Sequence, residues 1–226
     1  MTEPQAITLY TDYKSPYAYL AKDLAYALER EFGVRLDWLP YVLDIPSFLG
    51  SARLDDAGNV IEDARNAHQW RRVKYSYMDC RRQARKRGLT IRGTTKIWDT
   101  MLASSGMLYA KQQDAAVFRG YHDRVSERFW KRELDIEDIA VVTSVLKEAG
   151  ADTAGFAAYA AGDGPAEVNR ISRAAEESGV FGVPTFVIDG ELFWGSEHLP
   201  DIRQVLGQTP LADAKLDRAG REFGAG

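Results

Sequence analysis

The chain has 226 residues, of which 45% are hydrophobic and 27% charged, and its formal net charge is −4. This length allows one or two globular domains with a sizeable core, and the acidic balance argues against a general nucleic-acid-binding protein. No apolar run has transmembrane length, and the first residues lack the basic and apolar regions of a signal peptide. The single cysteine, Cys80, excludes an internal disulfide and a Cys-x-x-Cys pair. We therefore expect a cytoplasmic protein that binds neither nucleic acid nor membrane.

The N-terminal segment has the pattern of a strand–helix–strand unit. Residues 6–11 are strand-like, and Ser15-Pro16 is typical of a helix start, with the serine as N-cap and proline at the first helical position. Apolar residues then recur at helical spacing up to Gly33, where we expect the helix to end. Residues 34–39 alternate between apolar and charged side chains, which predicts a second strand. The unit has the length of one βαβ crossover.

After Pro40 the pattern becomes mainly helical. Residues 51–58 are small and polar, which favours a loop. The segment 66–88 is predicted to be a helix with a strongly basic surface. The further predicted helices are 97–110, 115–130, 136–148, 153–160 and 167–178.

A predicted β-hairpin follows Val183-Pro184. Residues 185–189 are β-branched, aromatic and apolar, Asp189-Gly190 is a strong turn signal, and residues 191–194 form the return strand. Gly195-Ser196 is expected to open a last helix, and residues 211–226 a charged tail. A Gly-Val-Pro-Thr segment before such a hairpin resembles the thioredoxin superfamily, in which the proline is cis.

The order β-α-β, helices, α-β-β-α predicts an α/β protein with a thioredoxin-like fold and an inserted all-helical domain. We assign residues 1–41 and 164–210 to the split thioredoxin-like domain, residues 42–163 to the insertion and residues 211–226 to the tail. Strands that are distant in sequence then meet in one sheet, which brings Ser15 close to Val183.

Ser15 stands where a thioredoxin-like protein keeps its first redox cysteine. Thiol–disulfide exchange needs a thiolate, and no residue near Ser15 supplies one. A hydroxyl at a helix N-terminus can instead donate a hydrogen bond to a bound thiolate, and the helix dipole favours the same anion. The structural alternative is that Ser15 only caps the helix. We interpret Cys80 as a buried apolar residue, and the spacing of the three histidines predicts no metal site.

Three segments carry a wider resemblance: residues 9–20, which include Tyr13-Lys14-Ser15-Pro16-Tyr17, residues 179–185 and residues 193–199. Together they resemble the kappa-class glutathione transferase and 2-hydroxychromene-2-carboxylate isomerase family, which belongs with the DsbA-like proteins. The resemblance spans about residues 6–207. It implies a glutathione cofactor.

The resemblance also implies which residues hold glutathione. Ser15 would activate the sulfur, and Val183, beside a cis-Pro184, would pair its backbone with the cysteinyl part. Ser196 and Glu197 would match the Ser-Asp pair that holds the γ-glutamyl end. The glutamate is a departure from the family pattern. The structural alternative for this pair is a helix N-cap followed by an acidic first turn.

A basic residue in the insertion would bind a glutathione carboxylate. In the family it precedes a tyrosine and an aspartate, which Tyr75 and Asp79 match. Arg72 fits without a gap and Lys74 fits with a small shift, so both stay open. Each also lies in a basic helix whose charges are mostly solvated. Lys14, before the serine, is a second departure from the family pattern.

The resemblance implies a glutathione-dependent isomerase of the 2-hydroxychromene-2-carboxylate isomerase type, or a related transferase. Ser15 would stabilise a glutathione thiolate that adds reversibly to an aromatic-derived substrate. One alternative is a DsbA-like thiol–disulfide oxidoreductase acting on glutathione, and another is a non-catalytic thioredoxin-like binding protein. The expected partners are a small aromatic or electrophilic molecule and, in a homodimer, a second copy of the chain.

Overall fold

The structure, a computed structural model, describes residues 6–55 and 57–208. The predicted tail at residues 211–226 lies outside the described residues. The strands of the described part are β1 (Ala6–Thr11), β2 (Arg35–Pro40), β3 (Ala52–Leu54), β4 (Val60–Asp63), β5 (Thr185–Ile188) and β6 (Glu191–Trp194). Its helices are α1 (Pro16–Phe32), α2 (Ile45–Leu49), α3 (Ala67–Lys86), α4 (Met101–Lys111), α5 (Ala115–Trp130), α6 (Ile139–Glu148), α7 (Phe156–Ala161), α8 (Asp163–Glu177) and α9 (Leu199–Gln208). A 3-10 turn at Ser196–His198 precedes α9.

Four strands form one mixed sheet in the order β2-β1-β5-β6. β1 pairs parallel to β2, with Leu9 opposite Trp38, and antiparallel to β5, with Leu9 opposite Phe186. β5 and β6 form the predicted hairpin. The first and last parts of the chain therefore share a sheet, and the predicted insertion, residues 42–163, lies between β2 and β5 in the chain. This is the predicted thioredoxin-like arrangement.

α1 begins and ends where the sequence predicts. The Ser15 side chain accepts a hydrogen bond from the backbone N–H of Ala18, and proline occupies the first turn. Gly33 ends the helix in the left-handed conformation with φ of 67°, and its N–H donates to the carbonyl of Glu29. Glycine adopts this conformation without the steric penalty of a Cβ. The cap places the Ser15 hydroxyl at the N-terminus of α1.

The insertion is helical except for a small β-hairpin. The sequence predicts a loop over residues 51–58, but β3 and β4 pair antiparallel there. Asp55 closes the connection, because its backbone N–H donates to the carbonyl of Asn59 and its carboxylate accepts from the N–H of Asn59 at 2.7 Å. A three-residue strand is too short to show alternation, which is why the pattern favours a loop.

Some helix starts differ from the predictions by three or four residues. α6 begins at Ile139 because the Asp138 side chain accepts from the N–H groups of Ala140 and Val141. α4 begins after residues 97–100, and α8 already begins at Asp163, with Gly164 and Pro165 in its first turn. Proline is well tolerated in a first turn, since its missing N–H has no partner to lose there.

One continuous hydrophobic core joins the sheet and the insertion. Ile7 and Leu9 of β1 belong to the same buried cluster as Tyr121 and Trp130 of α5. Cys80 is also part of it, with no exposed surface, as predicted. Within the described ranges, no helix combines the length and the apolar character needed to cross a membrane.

Candidate active site

Ser15 and Val183 meet where the β1–α1 loop faces the segment before β5. The Ser15 hydroxyl donates to the Val183 carbonyl over 3.4 Å and accepts from the N–H of Ala18 over 3.2 Å. The Val183–Pro184 peptide bond is cis. Two residues that are 168 positions apart therefore form one site, which confirms that the sheet brings Ser15 and Val183 together.

This site is largely shielded from solvent. Ser15 is 5% exposed and Val183 is 7% exposed. Val183 packs in a small buried cluster with Ala18, Tyr41 and Val180. Low exposure strengthens electrostatic interactions, and the N-terminus of α1 carries a partial positive charge. An anion bound beside Ser15 would be stabilised by both effects.

The residues after β6 lie against the same part of the molecule. The backbone N–H of Gly195 donates to the carbonyl of Pro184 over 2.9 Å. The turn that follows, Ser196–His198, packs against α1. Ser196 is half-buried and Glu197 is exposed. Ser196 and Glu197 thus directly follow Gly195, which is hydrogen-bonded to the cis proline Pro184.

α3 packs against α1 and contributes Asp79 to the border of the site. The Tyr17 hydroxyl donates to the Asp79 carboxylate over 3.3 Å, and Gln83 donates to the same oxygen over 2.7 Å. Arg82 lies 3.4 Å from the other carboxylate oxygen. Burial raises the pKa of Tyr17, so this hydroxyl keeps its proton and remains a donor. Asp79 therefore accepts a hydrogen bond from Tyr17, which lies two positions after Ser15.

The two basic candidates lie on different sides of α3. Arg72 is seven residues before Asp79, which is about 20° short of two full turns, so both belong to one stripe of the helix. Lys74 lies about 140° around the helix from Asp79, and its ammonium group is 5.9 Å from the centre of the Trp70 ring. Both basic side chains are exposed. Only Arg72 shares the stripe that contacts α1.

An exposed aromatic pair borders the cis proline. Phe181 and Trp194 have ring centres 4.8 Å apart, and they are 66% and 49% exposed. Gly182 lies beneath the indole, since a Cβ at this position would be 2.7 Å from the Trp194 Nε1. Exposed aromatic side chains next to a shielded polar site offer an apolar surface for a ligand.

A buried polar contact connects the insertion to residues 12–15, the loop between β1 and α1, which is called the site loop below. The Tyr13 hydroxyl lies 3.1 Å from His122 Nδ1 of α5, and the imidazole packs against Trp38 and stacks on Phe118. Burial lowers the pKa of His122 to about 3, and the nearby charges of Lys22 and Arg119 act in the same direction. His122 is therefore neutral in the folded protein at ordinary pH.

The chemistry of a redox thiol is not available at this site. Cys80 is fully buried, and burial raises the pKa of its thiol to about 12. A reactive cysteine needs thiolate character and access, and Cys80 has neither. Across the described part of the chain, no three His, Cys, Asp or Glu side chains are grouped so that they could hold a metal ion.

Sequence patterns do not reveal three contacts of the site: the hydrogen bond from Tyr17 to Asp79, the contact of Tyr13 with His122, and the tilted ring contact of Phe181 with Trp194. Each joins side chains on different elements. Spacing along one element carries no information about such pairs. Tyr13 and Tyr17 could have indicated the first two contacts, because a buried hydroxyl needs a hydrogen-bond partner.

Comparison with known proteins identifies relatives of similar length. The family model of the DSBA-like thioredoxin domain matches residues 6–207. A 2-hydroxychromene-2-carboxylate isomerase of Sphingobium xenophagum is 28% identical over 208 residues, which are 89% of this chain and 98% of that protein. The solved structure of a 2-hydroxychromene-2-carboxylate isomerase has a TM-score of 0.69 at 18% identity, and the match covers 89% of this chain and 94% of that one.

A second similar structure is the cytosolic disulfide reductase DsbM from Pseudomonas aeruginosa with GSH. It has a TM-score of 0.54 at 17% identity, and the match covers 90% of this chain and 93% of that one. These likenesses confirm the predicted thioredoxin-like fold with a helical insertion. Since the family model covers residues 6–207, the chain belongs to the DSBA-like thioredoxin domain family.

Proposed function

We propose that the protein is a glutathione-dependent isomerase of the 2-hydroxychromene-2-carboxylate isomerase type, or a closely related transferase. The observation that carries the proposal is the Ser15 hydroxyl at the N-terminus of α1, 3.4 Å from the carbonyl that precedes a cis proline. The similarity to an isomerase of Sphingobium xenophagum over nearly the whole chain supports the isomerase reaction. The related fold of DsbM, solved with GSH, supports the ligand.

The residues around Ser15 fit a tripeptide thiol. The Ser15 hydroxyl donates a long hydrogen bond to Val183 and accepts one from the Ala18 N–H, so its proton can turn towards a sulfur atom without losing a strong bond. The backbone of Val183 lies at the same place for pairing with the cysteinyl part of the ligand. Ser196 and Glu197 would hold the γ-glutamyl end, with the carboxylate of Glu197 facing its ammonium group. Arg72 would pair with a ligand carboxylate.

Bound glutathione would supply a thiolate nucleophile that adds reversibly to an electron-poor double bond and so allows rotation about it. Ser15 donates its hydroxyl proton in a hydrogen bond to the sulfur and so favours the thiolate over the thiol. The N-terminus of α1 favours the same charge through its dipole. The shielding of Ser15 and Val183 makes both interactions stronger than they would be in water.

The aromatic pair Phe181 and Trp194 gives the substrate a place to bind. An aromatic substrate stacks on an exposed ring, and the pair lies beside Gly182 and Pro184, next to the residues proposed to hold the sulfur. A cavity of about 450 Å³ lies between the end of β2 and α8, and its lining residues offer no aromatic ring for stacking: Val42, Met101, Asn169, Ser172, Arg173 and Glu176. We therefore assign the aromatic part of the substrate to the Phe181–Trp194 surface.

The test is a calorimetric titration with glutathione, combined with the ultraviolet absorbance of the bound thiolate against pH. For Ser15→Ala we expect the pKa of the bound thiol to rise by about one unit, because the sulfur loses a hydrogen-bond donor. Turnover should fall about a hundredfold, as is typical when one donor to a developing anion is removed. Glutathione affinity should change much less. Ser51→Ala, at an exposed serine of the insertion, is the matched control and should behave as wild type.

Two outcomes would overturn the proposal. No binding at millimolar glutathione would exclude the isomerase and the transferase together. Unchanged kinetics and an unchanged thiol pKa in Ser15→Ala would remove the assigned role of Ser15. The alternative of a thiol–disulfide oxidoreductase predicts reduction of insulin disulfides, which we do not expect, since Cys80 is buried. The homodimer stays a prediction from the family resemblance, and the cytoplasmic location stays a prediction from the sequence.

A further inference from the structure

A buried ion pair lies in the loop that leads to Ser15. The Lys14 ammonium is 3.5 Å from the Asp12 carboxylate, and the two side chains are 8% and 0% exposed. Lysine and aspartate are rarely this buried without a specific partner. Lys14 directly precedes Ser15, so their Cα atoms are about 3.8 Å apart. The ion pair is therefore a specific, buried interaction of the site loop.

Asp12 holds the shape of this loop. One of its carboxylate oxygens accepts from the backbone N–H of Leu43 over 2.8 Å, and the other accepts from the N–H of Lys14 over 3.3 Å. The carbonyl of Asp12 also accepts from the N–H of Ser15 over 3.0 Å. These bonds attach the β1–α1 loop to the segment after β2. They also place a buried negative charge close to the position proposed for a thiolate.

A carboxylate beside a thiolate site opposes ionisation of the thiol, because like charges repel and burial leaves the repulsion unscreened. The Lys14 ammonium offsets that charge. An ammonium group can do so only if it is held near the carboxylate, and the distance of 3.5 Å between the two groups shows that it is. The Asp12 carboxylate can then hold the shape of the loop without raising the pKa of a thiol bound beside Ser15.

Other charged groups border the site, but they are exposed or paired elsewhere. Asp79 on α3 is paired with Arg82 and bonded to Tyr17. On α8, the exposed Glu176 accepts from the hydroxyl of Tyr41. Glu197, after β6, is exposed, and water screens such charges strongly. Among these groups, the pair in the site loop is the one whose two side chains are both shielded from water.

We propose that Lys14 is a positioning residue that neutralises Asp12 beside Ser15, so that a glutathione thiol bound there is held as the thiolate. The proton of the thiol leaves to solvent, and Lys14 acts only through its charge next to Asp12. This inference rests on the proposed function, and it assigns to Lys14 a role that Ser15 and the helix N-terminus cannot replace.

The test compares Lys14→Met, Lys14→Arg, Asp12→Asn and the double variant Asp12→Asn with Lys14→Met. The absorbance of the bound glutathione thiolate is followed against pH, and affinities for glutathione and for S-methylglutathione are measured by calorimetry. We expect Lys14→Met to raise the pKa of the bound thiol by about one unit or more. Lys14→Arg should keep it near the wild-type value, and the double variant should restore it. S-methylglutathione has no ionisable thiol, so its affinity should not follow these changes.

The outcomes separate this inference from the function on which it rests. If wild-type protein binds neither ligand, both proposals fail. If it binds both ligands with a thiol pKa that is the same in Lys14→Met, only the role of Lys14 is overturned. Should Lys14→Met not fold, Asp12→Asn decides the question. A lowered thiol pKa in that variant supports the proposal, and an unchanged one contradicts it.

Discussion

Gly195 separates β6 from the turn that carries Ser196 and Glu197. Its φ of 101° and ψ of 154° lie in a region that only glycine adopts readily. A Cβ at this position would also overlap the Glu197 carboxylate, which folds back over the backbone. The position of Glu197 therefore depends on the absence of a side chain at residue 195.

Gly195→Ala should reduce both stability and ligand binding. We expect a loss of about 2–3 kcal/mol in the free energy of unfolding, mainly from backbone strain, because the carboxylate of the exposed Glu197 can move aside. The affinity for glutathione should fall several-fold, since Glu197 would no longer face the γ-glutamyl end. Urea unfolding and calorimetric titration measure the two effects.

Gly33→Ala is the matched control for this change. Gly33 also has a positive φ, of 67°, but a Cβ there would meet nothing within 4 Å. Its substitution should cost only about 1–2 kcal/mol of stability, the penalty of the left-handed conformation, and should leave glutathione affinity unchanged. Equal affinities in both variants would show that Glu197 takes no part in binding.

The element that decides between the two basic candidates is α3. The side of the helix that faces α1 includes Cys80 and Ala84, both buried, with Ser76 and Asp79 at its border. Arg72 extends that border by two turns towards the N-terminus of the helix. Lys74 lies on the opposite side of this contact. A ligand held at the N-terminus of α1 is therefore closer to the stripe of Arg72.

Arg72→Ala should weaken glutathione binding about tenfold, the effect of losing one charge-assisted hydrogen bond at a partly exposed site. Lys74→Ala is the control from the same helix and should bind glutathione as wild type does. Both are exposed helical positions, so neither variant should change stability by more than about 0.5 kcal/mol. A larger effect at Lys74 than at Arg72 would reverse the assignment.

The limits of sequence-based prediction are clear on the same helix. Periodicity and basic composition predict α3, but they leave Arg72 and Lys74 equivalent. The choice needs the direction in which α1 packs, which the structure shows through the contact between Tyr17 and Asp79. By contrast, the capping of α1 by Ser15 is a local property, because the serine and the N–H that it accepts are three residues apart. Local signals were readable, and contacts between elements were not.

The sheet was predictable for a similar reason. The Asp189-Gly190 turn and the alternation in β2 are local patterns, and chain order limits how the strands can pair. β3 and β4 are too short to show such a pattern, and their pairing depends on Asp55 and Asn59 at the turn. The ion pair of Asp12 and Lys14 was also not predicted, since sequence alone does not show that the loop is buried.

At the scale of the whole molecule, the insertion and the sheet are joined through His122. The imidazole comes from α5 of the insertion, and it contacts Trp38 of β2 and Tyr13 of the site loop. Its burial is complete enough to lower its pKa from 6.5 to about 3. In the folded state the imidazole therefore stays neutral at pH values where the unfolded chain binds a proton. The junction between the sheet and the insertion is thus sensitive to acid.

The stability of the protein should therefore decrease in acid partly through His122. The pKa is lowered in the folded state, so between pH 6.5 and pH 3 the unfolded chain binds the extra proton. Stability due to the neutral imidazole is complete above pH 6.5 and is lost as the pH falls towards 3, by a few kcal/mol in total. Urea unfolding at pH 7 and at pH 4.5 measures this loss, and His122→Gln should show a smaller one than wild type.

His68→Gln provides the comparison, since His68 is an exposed residue in the first turn of α3. Replacing this exposed side chain disturbs no buried contact, so it should leave the pH dependence of stability unchanged. Carboxylates also titrate below pH 5, but they are common to all three proteins and cancel in the differences. A loss of stability that is as large in His122→Gln as in wild type would mean that the junction tolerates a charged imidazole, and that another group sets the response to acid.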